Sequence, residues 1–259
     1  ACRRVARPVF IGSAPSVTAQ RARGIEEVRV KLGCVQPGET PSVFGDALRR
    51  LSEELTYLYS DASRYWFDTH PTITRIASDR AAQYERSPHI VDEEIQRRVR
   101  TAVSRERGEF AGVHVIPAGS GDVPDEPQAR LVILGPETPH RGRNGSSKAQ
   151  AQAQEILEKR GSSSRIYRNM LVFLAADSER LEELRQAVRM WLAWTSIKQE
   201  EDHLNLDAAQ RRQAENQINR YEETIAARLG ETYCHLLIPT QQGVEPVQWR
   251  PITLQGGEG

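Results

Sequence analysis

Lysine is scarce in this 259-residue sequence: of 35 basic residues only Lys31, Lys148, Lys159 and Lys198 are lysines, and the rest are arginine. We read this as a coding bias and not as a binding code. Cysteine is scarce too. Cys2, Cys34 and Cys234 are odd in number, far apart and outside any CxxC pair, which excludes a disulfide framework and the usual zinc spacings and fits a reduced cytoplasm. An excess of one charge is also missing. Thirty-five basic residues against 35 acidic ones give a formal net charge of zero, so no molecule-wide field steers the chain onto DNA or an anionic membrane, and any nucleic-acid surface must be local. No apolar run reaches the roughly 18 residues that a membrane span needs. Ala1-Cys2-Arg3-Arg4 has neither an initiator Met nor the apolar core of a signal peptide. With 38% hydrophobic and 27% charged residues and a mean hydropathy of -0.58, the expectation is a soluble, cytoplasmic protein with a real core and no membrane partner.

Several chemistries are missing as well. There is no GxxxxGK[ST] and no Gly-Lys dipeptide, so the chain cannot by itself form the lysine-bearing cradle for β- and γ-phosphates. GxGxxG, GxSxG and HExxH are absent. The histidines at 70, 89, 114, 140, 203 and 235 are scattered, none at ligand spacing from a partner, so no metal site is expected. No nucleophile and base can be paired, so no catalytic residue is assigned. Leu171-Val172-Phe173-Leu174-Ala175-Ala176-Asp177 has the outline of a strand ending in a Walker-B carboxylate, but an Asp followed by Ser178 reads first as a helix N-cap.

What is present reads as an α/β chain with a small module in front. Arg3 to Arg7 resembles the tail of a basic helix, and Pro8 to Gly12 a short buried strand entering a turn. Residues 16–36 suit an amphipathic helix closing at Gly33. The loop Gln36 to Pro41 precedes a helix from Ser42 to Leu55, whose Val43, Phe44, Ala47, Leu48, Leu51 and Leu55 recur at the helical period. Thr56 to Tyr59 and Arg64 to Asp68 are aromatic runs around Ser60-Asp61-Ala62-Ser63, the pattern of a β-hairpin. Helix, loop, helix, hairpin is the order of a winged helix-turn-helix. In that reading Arg49 and Arg50 on the second helix and Arg64 near the wing tip are the candidate DNA contacts, although Asp46, Glu53 and Glu54 share the helix.

Helices follow from Thr72 to Tyr84 and from Val91 to about Arg107. After Gly108 strand and helix alternate: strands at 113–116 and 130–134, a helix from Lys148 to Lys159, and the most hydrophobic run at 169–176, as expected of parallel strands buried on both faces. A long helix with Leu181, Leu184, Val188, Trp191 and Leu192 on one side and a more polar one from Ala208 to about Leu229 pair as a helical arm. A strand at 233–238 then breaks at Pro239, and Ile252-Thr253-Leu254 is strand-like. The fold class is thus mixed α/β: a winged-helix-like module at 16–90, then an α/β region at 91–259 with parallel strands and an arm at about 178–229, residues 1–15 ending a preceding domain.

In combination, Phe10 to Pro15, Arg23-Gly24-Ile25, Lys31 to Glu39, Phe44 to Leu51, Arg64 to Thr69, Tyr167 to Asp177, Leu204-Asn205-Leu206-Asp207 and Glu231-Thr232-Tyr233 resemble the large prokaryotic ATPase family filed as domain of unknown function 499. Its members resemble AAA+ or related P-loop ATPases, often near phage-defence genes, with the phosphate loop upstream of the region matched. The resemblance implies an internal segment of such an ATPase. ATP and Mg would be bound by the upstream ATPase domain, the first partner of this segment, and not by the segment itself. It makes Arg23 a candidate sensor or finger for a γ-phosphate. The alternatives are a non-enzymatic DNA-binding module, or an interaction scaffold that takes a protein partner or a second copy through the arm.

Overall fold

The computed structural model of the chain describes residues 1–13, 24–61, 63–68, 72–103, 108–141, 147–241 and 245–254. The chain divides into two compact units, Ala1–Asp79 and Arg80–Gly259.

The first unit contains α1 (Cys2–Ser13), β1 (Ile25–Glu26), α2 (Glu27–Cys34), α3 (Ser42–Glu54), β2 (Leu58–Asp61) and β3 (Arg64–Phe67). The three strands form an antiparallel sheet in the order β1-β3-β2. This succession of elements and this strand order are those of a winged helix. Val5 and Val9, one helical turn apart on α1, pack with Val30 and Cys34 of α2, Phe44, Ala47 and Leu48 of α3 and Leu58 of β2.

Two expectations are corrected here. Pro8 to Gly12 is helical and not a strand, and Val5 and Val9 of that helix pack into this unit's own core. A proline inside α1 removes the N–H that would bond the Arg4 carbonyl, and the Cys34 thiol donates to that carbonyl instead, at 3.4 Å. The helix expected over 16–36 is in its described part a short strand followed by the short helix α2. Ile25 pairs with Tyr65 and Glu26 with Arg64, so a tertiary partner makes that strand. Gly24 permits the approach: its φ is +72, and a Cβ there would overlap the Tyr65 carbonyl oxygen.

Helix α4 (Ile73–Glu85) carries the chain into the second unit. There α5 (Pro88–Val103), β4 (Gly112–Val115), β5 (Arg130–Ile133), α6 (Lys148–Glu158), the two-residue strands β6 (Lys159–Arg160) and β7 (Ser163–Ser164), β8 (Leu171–Ala175), α7 (Ser178–Gln199), α8 (Ala208–Thr232), β9 (His235–Thr240) and β10 (Gln248–Thr253) follow. The main sheet has the order β10-β9-β8-β5-β4. Strands β4, β5 and β8 are parallel, while β9 and β10 run antiparallel.

Both faces of the central strands are covered. Leu131, Ile133 and Leu174 face α5, α7 and α8, among them Ile95, Leu184, Val188 and Ile225. Val132, Leu134, Leu171 and Phe173 face α6 through Ala149, Ala153, Ile156 and Leu157. The arm helices α7 and α8 therefore serve the core as well as pairing with each other. Arg98 of α5 ties the helical layer together: it bonds Glu94 and Glu222 of α8, each at 2.7 Å, and lies 4.5 Å over the Trp191 ring of α7. Contrary to expectation β9 continues through Pro239. Strand β8 pairs only with His235 to Leu237, so no donor is required of residue 239 on that side. The outer strand β10 carries Arg250 and Pro251, both exposed.

At the amino ends of the parallel strands, Arg165 has a side chain fully withdrawn from solvent. Its Nε donates to the Ile156 carbonyl at 2.9 Å, Nη1 to Pro124 at 2.8 Å and Nη2 to Val123 at 3.0 Å. One guanidinium thus satisfies the last turn of α6 and the segment leading into β5. The Arg165→Ala substitution is expected to lower unfolding free energy by about 3–5 kcal/mol in urea titration, and Arg165→Lys to recover little of it. A loss below about 1 kcal/mol in Arg165→Ala would show that those carbonyls have other partners.

Candidate functional site

Two surfaces gather groups capable of recognition or chemistry, one in each unit. In the first unit, α3 turns Phe44, Ala47 and Leu48 inward, which leaves Val43, Asp46, Arg49 and Arg50 outward. Arg49 approaches Asp46 at 3.3 Å with both side chains largely exposed, a contact worth little. Arg50 makes no ion pair among the described residues. The third candidate, Arg64, lies at the hairpin tip, but its guanidinium is turned inward onto the sheet, to Glu26 and to the Gly24 carbonyl, both at 2.8 Å. It holds the wing onto β1. Tyr59 and Trp66, opposite each other on β2 and β3, stack at 5.7 Å and stiffen the hairpin. Arg23 lies outside the described residues.

In the second unit, polar side chains converge at the carboxyl ends of β5 and β8, where open α/β sheets commonly bind ligands. Asp177 caps α7: its Oδ1 accepts from the backbone N–H of Glu179 at 2.9 Å and of Arg180 at 3.0 Å. Its Oδ2 meets His235 Nε2 at 2.9 Å, and a carboxylate oxygen places the ring proton on Nε2. The other nitrogen of His235 lies 3.3 Å from Thr253 Oγ1 of β10. With both oxygens engaged, Asp177 is a cap and an anchor, and the chain after β5 runs Leu134-Gly135-Pro136. Burial alone would raise its carboxyl, but the Arg180 N–H, His235 and the Glu179 N–H outweigh burial and hold it below the usual carboxylate range.

His140 stands beside this pair. Its N–H donates to the Ala176 carbonyl at 2.8 Å and its carbonyl accepts from Ser178 N–H at 3.1 Å, a one-residue parallel bridge around Asp177. The His140 and His235 rings meet edge to face at 4.8 Å. His140 Nδ1 lies 2.8 Å from Ser147 Oγ, and Ser147 is the N-cap of α6, accepting from Gln150 N–H at 3.2 Å. Burial, and then the neighbouring His235, push the His140 pKa down, Asp177 opposing them in part. The ring is therefore neutral, and in the tautomer that carries its proton on Nε2 its Nδ1 accepts the serine proton.

Sequence reasoning found no nucleophile and base to pair, and the fold brings Ser147 and His140 to hydrogen-bond distance. Among the described residues no carboxylate orients the His140 ring, and the serine oxygen is engaged by the cap. Among the described residues no group of three or more His, Cys, Asp or Glu could hold a metal ion. All three cysteines are free, and burial raises the thiols of Cys34 and Cys234, which makes them unreactive. Among the described residues no helix is long and apolar enough to cross a membrane.

Compared with protein-family models, curated proteins and solved structures, the chain matches none of them.

Replacing Asp177 by Ala is expected to cost about 1–2 kcal/mol at pH 7 by urea titration, the usual worth of an N-cap. Because the carboxyl is depressed, this contribution is present above about pH 3.9 and is lost as pH falls through the lower native value. The variant and the parent should therefore converge in stability under strong acid, and a gap that widens there would contradict the assignment.

Proposed function

We propose that the chain is a non-catalytic, duplex-DNA-contacting segment of an ATP-driven machine, with the first unit as its DNA-binding module. The observation that carries the reading is the winged-helix order of the first unit, with α3 held by Phe44, Ala47 and Leu48 so that Arg49 and Arg50 face outward. A helix presented in this way on a three-stranded wing is suited to enter a major groove, and two arginines on its outer face supply phosphate contacts. Asp46 beside them limits affinity and makes the contact local, in keeping with a net charge of zero. Arg64 supports the surface by bracing the wing, and does not itself meet DNA. The ATP-driven part of the reading rests on the resemblance to the ATPase family alone. It assigns nucleotide and Mg to an upstream domain, since this chain offers no phosphate loop, and phage defence is the setting it suggests.

Binding to a short duplex measured by fluorescence anisotropy across a salt series should give a log-log slope near -2 to -3, about 0.9 per phosphate contacted. The double substitution Arg49→Ala, Arg50→Ala should flatten that slope by about 2, whereas Arg64→Ala should act through stability, lowering the melting temperature of the unit. A flat salt response in the parent chain would remove the DNA reading. ATP turnover by the purified chain that survives removal of contaminants would remove the non-catalytic one.

A further inference from the structure

The two histidines at the carboxyl ends of the strands each hold one helix N-terminus: His140 holds Ser147, the cap of α6, and His235 holds Asp177, the cap of α7. Their rings touch, and the backbone of His140 is bonded on both sides of Asp177, to Ala176 and to Ser178. We propose that this pair is a proton-operated latch: neutral His140 keeps the first turns of α6 and α7 closed together, and uptake of one proton at its Nδ1 opens both.

The proton balance at Ser147 is the reason. Its oxygen already accepts the Gln150 N–H, and the latch takes the tautomer with the ring proton on Nε2, in which the single serine proton goes to His140 Nδ1. Once Nδ1 carries a proton it becomes a donor, and the buried serine hydroxyl loses its acceptor. An unsatisfied buried group of this kind is costly. The new imidazolium also lies against the His235 ring, which already donates to Asp177. For its charge to reach water, His140 must swing outward. Its backbone then releases the Ser178 N–H, the first of α7, so the opening passes from one helix to the other. The described groups around the latch are Asp177 and Arg180 from α7 and its cap, Cys234 and His235 leading into β9, Thr253 from β10, Ser147 from α6, and Arg141 next in the chain. Arg180 is committed to the Glu231 carbonyl at 2.8 Å, and among the described residues Asp177 is the acid that favours the proton. The sign follows: a histidine whose native pKa is depressed contributes stability above its ordinary value near 6.5, and loses it as pH falls below that value.

Amide hydrogen exchange of the full chain by NMR between pH 7.5 and pH 5, corrected for intrinsic rates, tests the latch. Protection at residues 149–151 and 178–181 should fall together, by at most about tenfold per pH unit for one proton, while the amides of β2 and β3 stay unchanged. The ring-proton shift of His140 should titrate below pH 6.5, with the same midpoint as the amides. His140→Asn, which keeps an acceptor near the Nδ1 position without a titrating group, should abolish the pH dependence in both turns. Loss of protection at only one helix, pH dependence that persists in His140→Asn, or a His140 midpoint that differs from that of the amides would each overturn the proposal. The last comparison uses the parent chain alone and holds even if the variant does not fold.

Discussion

Strands β5 and β8 are buried on both faces, and most of the second unit follows from that constraint. A strand with helices above and below has no face on which to place a polar side chain. Leu131, Val132, Ile133, Leu171, Phe173 and Leu174 fill one layer or the other, at about 1.5–3 kcal/mol for each fully buried large apolar side chain. Polar groups are driven to the strand ends, where backbone ladders stop and helices begin or finish. An unpaired buried polar group costs about 1–3 kcal/mol, as much as one of those apolar side chains contributes. The ends must therefore be satisfied almost group by group.

The two ends solve this differently. At the amino ends a permanent cation, Arg165, collects backbone carbonyls with the fan of donors that only a guanidinium has. Burial lowers its pKa, but a guanidinium still cannot titrate in the ordinary range, so these carbonyl bonds do not respond to acid, unlike the bonds of the neighbouring Asp125 carboxylate to the Ile166 and Tyr167 N–H groups. At the carboxyl ends the groups to be satisfied are helix N–H donors, which require acceptors, and these come from Asp177 and Ser147. Both are then oriented by imidazoles, the one side-chain type that changes charge near neutrality. The same sheet thus has its carbonyls gathered by a permanent cation at one end and its helix caps oriented by imidazoles at the other.

The sequence made some of this legible and hid the rest for identifiable reasons. Helices α3, α6, α7 and α8 show their period and their starts, with Ser147 three residues before Gln150, Asp177 before Ser178 and Asp207 before Ala208. The run at 169–176 announced a strand buried on both faces, which the structure places at Leu171–Ala175. Helix α1 was hidden because Val9-Phe10-Ile11 is continuously apolar beside a proline, and only the packing of Val5 and Val9 reveals the helical face. Strand β1 was hidden because two residues carry no period. The histidine cluster was hidden because residues 140, 147, 177 and 235 are joined by strand register: Ala175 opposite His235 sets His235 against Asp177, and no spacing in the chain encodes that pairing. On α3 the outward placement of Arg49 and Arg50 followed from the helical period, while the inward turn of Arg64 depended on Glu26, a contact across 38 residues.

Strand β10 has an implication for how copies of this chain behave when crowded. An outermost strand normally offers a row of free N–H and C=O groups that a neighbouring molecule can extend, the first step toward fibrous aggregation. Here the row is interrupted at Pro251, which has no N–H, and Arg250 beside it would place its charge against an identical arginine of any copy aligned in register. The sheet can therefore end on an uncovered strand without becoming a template for its own kind.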